Sequence, residues 1–251
     1  MKLCKTFILL ALFHIVFMLV PTTVGATDDD NQSSFINSYE EDLTGDGFRE
    51  HIILKGSLFS EKSNFYRDVW LDIASPFAHQ WKISLEGGYN PEVRMIDLNH
   101  DHTPDLLYRV AKDEDSLQYF HQLYTLKKGT AQQIPTPKHH HIQGKFLDDF
   151  KVEIKINPAM KPIIKNISND KQHYIEEKIY KENGELLKEK SIKPKPINAL
   201  EPTLISKTKG YGLKSRQPVK GLGNDDILGE IETLWYYQNE KWIVLTTEWI
   251  D

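Results

Sequence analysis

The chain has 251 residues, with 31 Lys and Arg against 36 Asp and Glu and a formal net charge of −5 at pH 7. That mild acidity excludes the clustered positive face that a phosphate backbone demands, so no nucleic-acid partner is expected. The length is ample for one large core or two small ones, and a single cysteine, Cys4, allows no internal disulfide. In chain order, Met1, Lys2 and Lys5 precede an apolar block from Phe7 to Val20, and Val24-Gly25-Ala26 offers small residues where a signal peptidase cuts. Residues 1–26 therefore read as a cleavable signal peptide, and the mature chain is expected to be secreted or held at the cell surface. The block is short of the ~20 apolar residues that a bilayer span needs, and no later segment is more apolar, so no membrane span is expected after cleavage. Cys4 leaves with the signal, and the mature chain must be stabilised by a core or by bound ions. Residues 27–34, TDDDNQSS, hold three acids and no apolar side chain and read as a disordered leader.

From Phe35 onward the sequence consists of short runs rich in Ile, Val, Tyr, Phe and Trp, broken by Gly, Asn and Pro, which is the pattern of an antiparallel β protein. HIILKG, DVWLDIAS, WKISL, VRMIDL, DLLYRV, YFHQLYTLKKG and FKVEIKI are the examples. Two hairpins are expected nearer the carboxyl end. One turns at Asn183-Gly184, a pair that accepts positive φ at both residues. A helix through the same segment would line up Ile175, Ile179, Leu186 and Leu187, but Asn183-Gly184 would cost it about 1 kcal/mol or more, so the hairpin is preferred. The other turns at Gln238-Asn239-Glu240, between strands carrying Trp235, Tyr237, Trp242 and Trp249. Gln132 to Phe146 holds two prolines and His139-His140-His141 and is the expected boundary, giving a repeat domain at 35–137, a linker at 138–145 and a C-terminal β domain at 146–251. A second proline-rich break, SIKPKPINALEP, is expected along an edge or in a long loop.

The segment with the most specific chemistry is DLNHDHTPD, Asp97 to Asp105, and it is echoed by DLTGDGFRE, Asp42 to Glu50. Both have oxygen donors at positions 1, 3, 5 and 9, and each runs directly into an apolar strand, so the unit is a loop feeding a strand, used twice. Calcium takes six to eight oxygens at about 2.3–2.6 Å, which a curled loop presents from alternate residues. The second loop would supply Asp97, Asn99, Asp101, the Thr103 carbonyl and Asp105. The first would supply Asp42, Thr44, Asp46, the Phe48 carbonyl and Glu50. An EF-hand is excluded, because its closing position 12 falls on Ile53 and Tyr108 inside expected strands. Zinc is disfavoured by the absence of cysteine and the surplus of hard oxygens around His100 and His102.

These loops resemble the calcium loops of FG-GAP/VCBS-type repeats, D-x-[DN]-x-D-G-x-x-D, which lie at the ends of β-propeller blades. WKISLEGGYNPEVRMIDLNHDHTPDLLYRV and the tail GYGLKSRQPVKGLGNDDILGEIETLWYYQNEKWIVLTTEW resemble secreted VCBS-repeat-containing proteins of Gram-positive bacilli over most of the mature chain. The resemblance implies two propeller-like units with calcium-type loops plus a C-terminal antiparallel β domain, with a degenerate small β-propeller as the alternative. It implies an ion and a compartment and no activity. Two positions depart from the motif: His102 stands where the second loop should have glycine, and Thr44 where the first should have Asp or Asn.

Other candidates read more simply. Consecutive side chains of an extended His139-His140-His141 point to opposite sides, which suits a solvated linker better than a metal shell. Asp148-Asp149 and Asp225-Asp226 are acid pairs of the kind used in general acid/base chemistry, but their settings, GKFLDDF and GLGNDDILGE, read as turns entering strands. Most of the tryptophans are expected in the core. The function expected from the whole is that of a secreted, non-enzymatic calcium-binding β protein, a binding or structural module facing a cell-wall, carbohydrate or protein partner. An extracellular hydrolase acting on carbohydrate or wall polymer, with structural calcium, is the alternative.

Overall fold

A computed structural model of the chain describes residues 33–251, apart from 115–117, 128, 139–141, 158 and 223–225 and the side chain of Lys127. The expected signal peptide, most of the expected leader, the histidine triplet and Asp225 therefore lie outside the described residues. The fold is mainly β. Eight strands, β1 (Ser33–Glu41), β2 (Glu50–Leu58), β3 (Phe65–Ala74), β4 (Gln80–Leu85), β5 (Gly88–Ile96), β6 (Asp105–Ala111), β7 (Tyr119–Lys127) and β8 (Thr130–Ile134), form one antiparallel sheet. Its order is β1-β2-β3-β5-β6-β7-β8, with β4 branching from β3. The branch has a simple cause. β3 pairs with β5 only at Phe65 and Tyr66, and with β4 from Val69 to Ala74. The sheet splits there and curls into a half-barrel, and the Trp81 indole N–H of β4 reaches the Gly129 carbonyl of the β7–β8 turn at 2.8 Å. The two loop-and-strand units thus belong to a single sheet, not to separate blades.

Alternation sets the core. In β2, Ile52 and Leu54 are fully buried while His51 is exposed, and they pack with Leu71, Ile73 and Val69 of β3 beneath Leu106, Tyr108 and Val110 of β6. β6 is apolar on both faces because both are covered: Leu106, Tyr108 and Val110 face that first core, while Leu107 faces a second one. Leu107 there meets Leu98, Leu123 and Ile134 from the same sheet and Leu200, Leu213 and Trp235 from the C-terminal region. Fully burying each such side chain stabilises by about 1.5–3 kcal/mol.

The remaining strands make two smaller antiparallel sheets. β9 (Gln143–Leu147), β10 (Lys151–Lys155) and β11 (Ile163–Asn166) form the first, followed by a 3-10 turn, Ser168–Asp170, and the helix α1 (Lys171–Glu176). β12 (Lys193–Pro194), β13 (Ala199–Ser206), β14 (Gly210–Lys220), β15 (Ile227–Gln238) and β16 (Lys241–Ile250) form the second. β12 and β13 both pair with β14, on the flank opposite β15, so the proline-rich break does run along an edge. A third core, built around Phe146, Val152, Ile154, Tyr174, Tyr180, Val219 and Ile231, joins these two sheets.

The segment around Asn183-Gly184 differs from the expected hairpin. Its first part is α1, which ends where Lys178 turns left-handed at φ 55, and the only pairing across Asn183-Gly184 is a bridge between Tyr180 and Leu186. Burial outweighs local alternation here. Tyr174 and Tyr180 are each about 1% exposed and both pack on Phe146, and the Tyr180 hydroxyl donates to the Leu147 and Lys151 carbonyls at 2.7 and 3.1 Å. One short helical turn brings both rings into that core, which two straight strands would place on a flat face.

Candidate functional site

Each acidic loop closes an antiparallel hairpin. The first joins β1 to β2 across the pair Glu41 and Glu50, and the second joins β5 to β6 across Ile96 and Asp105. The two share one hydrogen-bond skeleton. At position 1, Asp42 accepts from the Gly45 and Gly47 N–H groups at 2.7 and 2.8 Å, and Asp97 from those of His100 and His102 at 2.7 and 3.1 Å. At position 5, Asp46 accepts from the Phe48 N–H at 2.8 Å, and Asp101 from the Thr103 N–H and hydroxyl at 3.1 and 2.5 Å. At position 9, Glu50 accepts from the Leu43 N–H at 2.8 Å and the Thr44 hydroxyl at 3.2 Å. Asp105 accepts from the Leu98 and Asn99 N–H groups and from the Asn99 side-chain amide, at 2.8–3.0 Å.

Such a curl requires positive φ at positions 4 and 6. Gly45 and Gly47 adopt 73° and 88°, and His100 and His102 adopt 64° and 71°. The second loop therefore takes the glycine conformation without the glycines, at a cost of about 1–2 kcal/mol per residue. Position 2 is a fully buried leucine in both loops, Leu43 and Leu98, which pins each loop to the sheet beneath it. The position-9 acids are equally buried, at 0% exposure, and brace the loop base. Burial pushes the Asp105 carboxyl up to about 6, against the pull of its N–H donors. His100 stacks on Tyr236 with ring centroids 4.4 Å apart, its Nε2 is buried without a partner, and burial lowers its pKa despite Asp97, so the ring is neutral at pH 7.

The two loops touch. A Cβ placed on Gly45 would come within 2.6 Å of Thr103 Cγ2, so residue 45 of one loop lies flat against residue 103 of the other. Six carboxylates are thereby gathered in two neighbouring loops. Among the described residues, Asp42, Asp46, Glu50, Asp97 and Asp105 form no ion pair with Lys or Arg; their partners are N–H and O–H groups. Three His, Cys, Asp or Glu side chains do not converge on one point anywhere among the described residues. Of the expected ligand positions, 3 and 9 are joined by their side chains in each loop, Thr44 to Glu50 and Asn99 to Asp105, whereas the carboxylates at 1 and 5 are turned onto backbone N–H groups of their own loop. The Phe48 ring turns away, 53% exposed and edge-on to Phe77 at 4.9 Å.

The remaining sequence candidates serve turns and packing. Asp148 accepts from the Leu186 N–H at 2.9 Å, and Asp149 is left-handed at φ 60 beside Lys151. Asp226 accepts from the Tyr174 hydroxyl and the Leu222 N–H, both at 2.8 Å, closing the end of the third core. Of the tryptophans, Trp235 is buried in the second core and Trp81, Trp242 and Trp249 are half-buried but packed against the cores, as expected, while Trp70 is half-buried; each has its indole N–H bonded.

Two features have no linear signature. Glu92 and Glu201 each bridge Arg94 and Arg109 with contacts of 2.6–3.0 Å, making a closed ring that ties β5 and β6 to β13. Beside it lies a cavity of about 610 Å³ lined by Tyr119, Phe120, His121, Pro135, Pro196 and Ile197, among others. His121 Nε2 accepts the Leu200 N–H at 3.3 Å, and burial, with Arg109 nearby, pushes its pKa down to about 4.

Residues 140–250 match the family model of the YybI C-terminal domain, a Bacillus-type family. The match spans the two smaller sheets and leaves both acidic loops outside it. No curated protein and no solved structure gives a significant match.

Proposed function

We propose that this chain is an exported, non-enzymatic calcium-binding β protein, acting as a binding or structural module at the cell surface. The observation that supports it is the contact between two loops of closely similar hydrogen-bond skeleton, holding six acids of which five have no ion-pair partner among the described residues. Confined carboxylates of like charge repel, and a divalent cation relieves that repulsion.

The donor set suits calcium. Every side chain at positions 1, 3, 5 and 9 is an oxygen donor, and of the two imidazoles in the second loop, His100 stacks on Tyr236. A carboxylate has about four lone-pair sites, so an oxygen that already accepts an N–H still has capacity for an ion. Asp97, Asn99, Asp101, the Thr103 carbonyl and Asp105 would hold calcium in the second loop. Asp42, Thr44, Asp46, the Phe48 carbonyl and Glu50 would do so in the first. Because three carboxylates do not converge, amide, hydroxyl and carbonyl oxygens and water would fill much of the shell. That composition belongs with the weak affinities of extracellular modules, about 10⁻⁴ to 10⁻³ M. The N-terminal signal pattern supports export, and the Bacillus-type family match supports a bacterial cell.

The test is thermal unfolding in about 2 mM calcium and then in excess chelator. A site of this affinity adds roughly 0.6–1.8 kcal/mol, a rise in midpoint of about 1–7 °C for a chain of this size. Asp101→Ala should lose most of the rise. An identical midpoint with and without calcium sinks the reading.

A further inference from the structure

A cleft of about 450 Å³ opens where the second loop meets β7, β8 and the β15–β16 turn. Its walls include Asn99, Asp101, Thr125, Gln132, Asn239 and Glu240, and Tyr237 contributes an aromatic face. We propose that this cleft binds a neutral, polyhydroxylated ligand, a saccharide unit. The inference names the ligand of the binding module proposed above and rests on that reading, but not on either loop holding calcium.

The lining selects by elimination. Its two carboxylates with no Lys, Arg or His among the lining residues turn away anionic ligands. An apolar ligand would strip water from amides and acids and return no hydrogen bonds. A cation would use the two carboxylates and the amide oxygens, but the side-chain N–H₂ groups of Gln132, Gln133 and Asn239 would be wasted on it. Hydroxyl groups both donate and accept, and alternating amides and carboxylates answer them in both directions. Among the described residues, the side chains of Gln132, Gln133, Asn239 and Glu240 make no hydrogen bond or ion pair with the protein, whereas Asn99 and Thr125 are bonded to each other and form the floor. Tyr237, held edge-on to Trp242 with centroids 5.0 Å apart, is a ring wall fixed by packing, and the Trp242 N–H is itself tied to the Pro135 carbonyl at the cleft's edge.

The backbone is a second observation. Gln238 pairs with Lys241, so Asn239 and Glu240 are the two central residues of the turn, at φ 50° and 59°. A two-residue turn of this kind favours Asn-Gly. Glu240 occupies the glycine position at a conformational penalty, and strain of this sort is kept where the side chain is needed. Relief of the strain and loss of the function can therefore be separated with one substitution.

The experiment is ligand-observed NMR and calorimetry on the purified protein, with tetrasaccharides of glucose in α and β linkage and of N-acetylglucosamine as probes, each in calcium and in chelator. At least one probe is expected to bind. Glu240→Gly should weaken it about tenfold or more while leaving the unfolding midpoint unchanged or higher, Gln132→Ala should weaken it without moving the midpoint, and Glu189→Gln should do neither. Binding by none of the probes overturns the proposal, as does binding that both cleft variants leave intact. Fewer calcium ions bound by Glu240→Gly than by wild type would make the cleft a cation site and overturn it too. A calcium-independent midpoint alongside saccharide binding would sink the calcium reading alone.

Discussion

Acidification should expose two buried groups that act in opposite directions. His121 has its pKa pushed down to about 4 from the ordinary 6.5, so between those pH values the unfolded chain holds a proton that the folded chain refuses, and stability falls as pH drops. Asp105 is pushed up to about 6 from 3.8, so between those values the folded chain holds a proton that the unfolded chain has lost, and stability falls as pH rises. Each effect amounts to about 3 kcal/mol at most. Their windows overlap from about pH 4 to 6, where they nearly cancel in the wild-type protein. Single substitutions remove the cancellation. His121→Gln keeps an acceptor for the Leu200 N–H and deletes the titration, so its stability relative to wild type should improve by up to about 3 kcal/mol between pH 7 and pH 4. Asp105→Asn should move the opposite way by a similar amount, because it forgoes what wild type gains as Asp105 takes up its proton. Urea unfolding at closely spaced pH values in chelator measures both, and using differences from wild type removes the other titrating groups. Stability differences that stay constant from pH 7 to 4 in both variants would refute the argument.

Glu201→Ala opens the ring that joins β13 to β5 and β6, but Arg94 and Arg109 both keep Glu92 and all four side chains are partly exposed, so the loss should be only about 1 kcal/mol and should shrink in 1 M salt by urea titration. Gly47→Ala carries only the penalty of positive φ, about 1 kcal/mol, since nothing lies within 4 Å of its added methyl. Gly45→Ala adds a collision with Thr103 and should cost measurably more, and Thr103→Ser, which deletes the offending Cγ2, should recover that excess in a double-mutant cycle of denaturant melts; equal losses at 45 and 47 would mean that the loops do not touch.

What the sequence made legible is what local spacing controls. The alternation of Ile52 and Leu54 with His51, the acidic segments as loops running directly into β2 and β6, and the tight turn before Lys241 all appear in the structure where periodicity and turn chemistry put them. What stayed hidden depends on partners distant in the chain. The ring of Glu92, Arg94, Arg109 and Glu201 spans more than a hundred residues, and no spacing announces it. The helix at Lys171 was outvoted in sequence by Asn183-Gly184, because the deciding quantity was the joint burial of Tyr174 and Tyr180 against Phe146. The repeat of the acidic loop suggested separate blades, since the sequence reports that a unit recurs and not which strands it pairs with; β3 shares its length between β4 and β5, and that division keeps both units in one sheet.

The same shared sheet changes what the two loops can do. As ends of separate blades they would be independent ion sites, each judged by its own imperfect motif, Thr44 in one and His102 in the other. On neighbouring hairpins, with Gly45 against Thr103, they lie within a few ångströms, well inside the ~8 Å Debye length at physiological salt, so charge in one is felt in the other. On the calcium reading proposed above, an ion entering either loop would lower the repulsion that the other must overcome, and the second loop in turn forms one wall of the cleft that holds Asp101 and Glu240. A cation bound on one hairpin would thereby act on three surfaces, which on that reading is a physical reason for a protein with no internal disulfide to keep six acids in two touching loops despite their mutual repulsion.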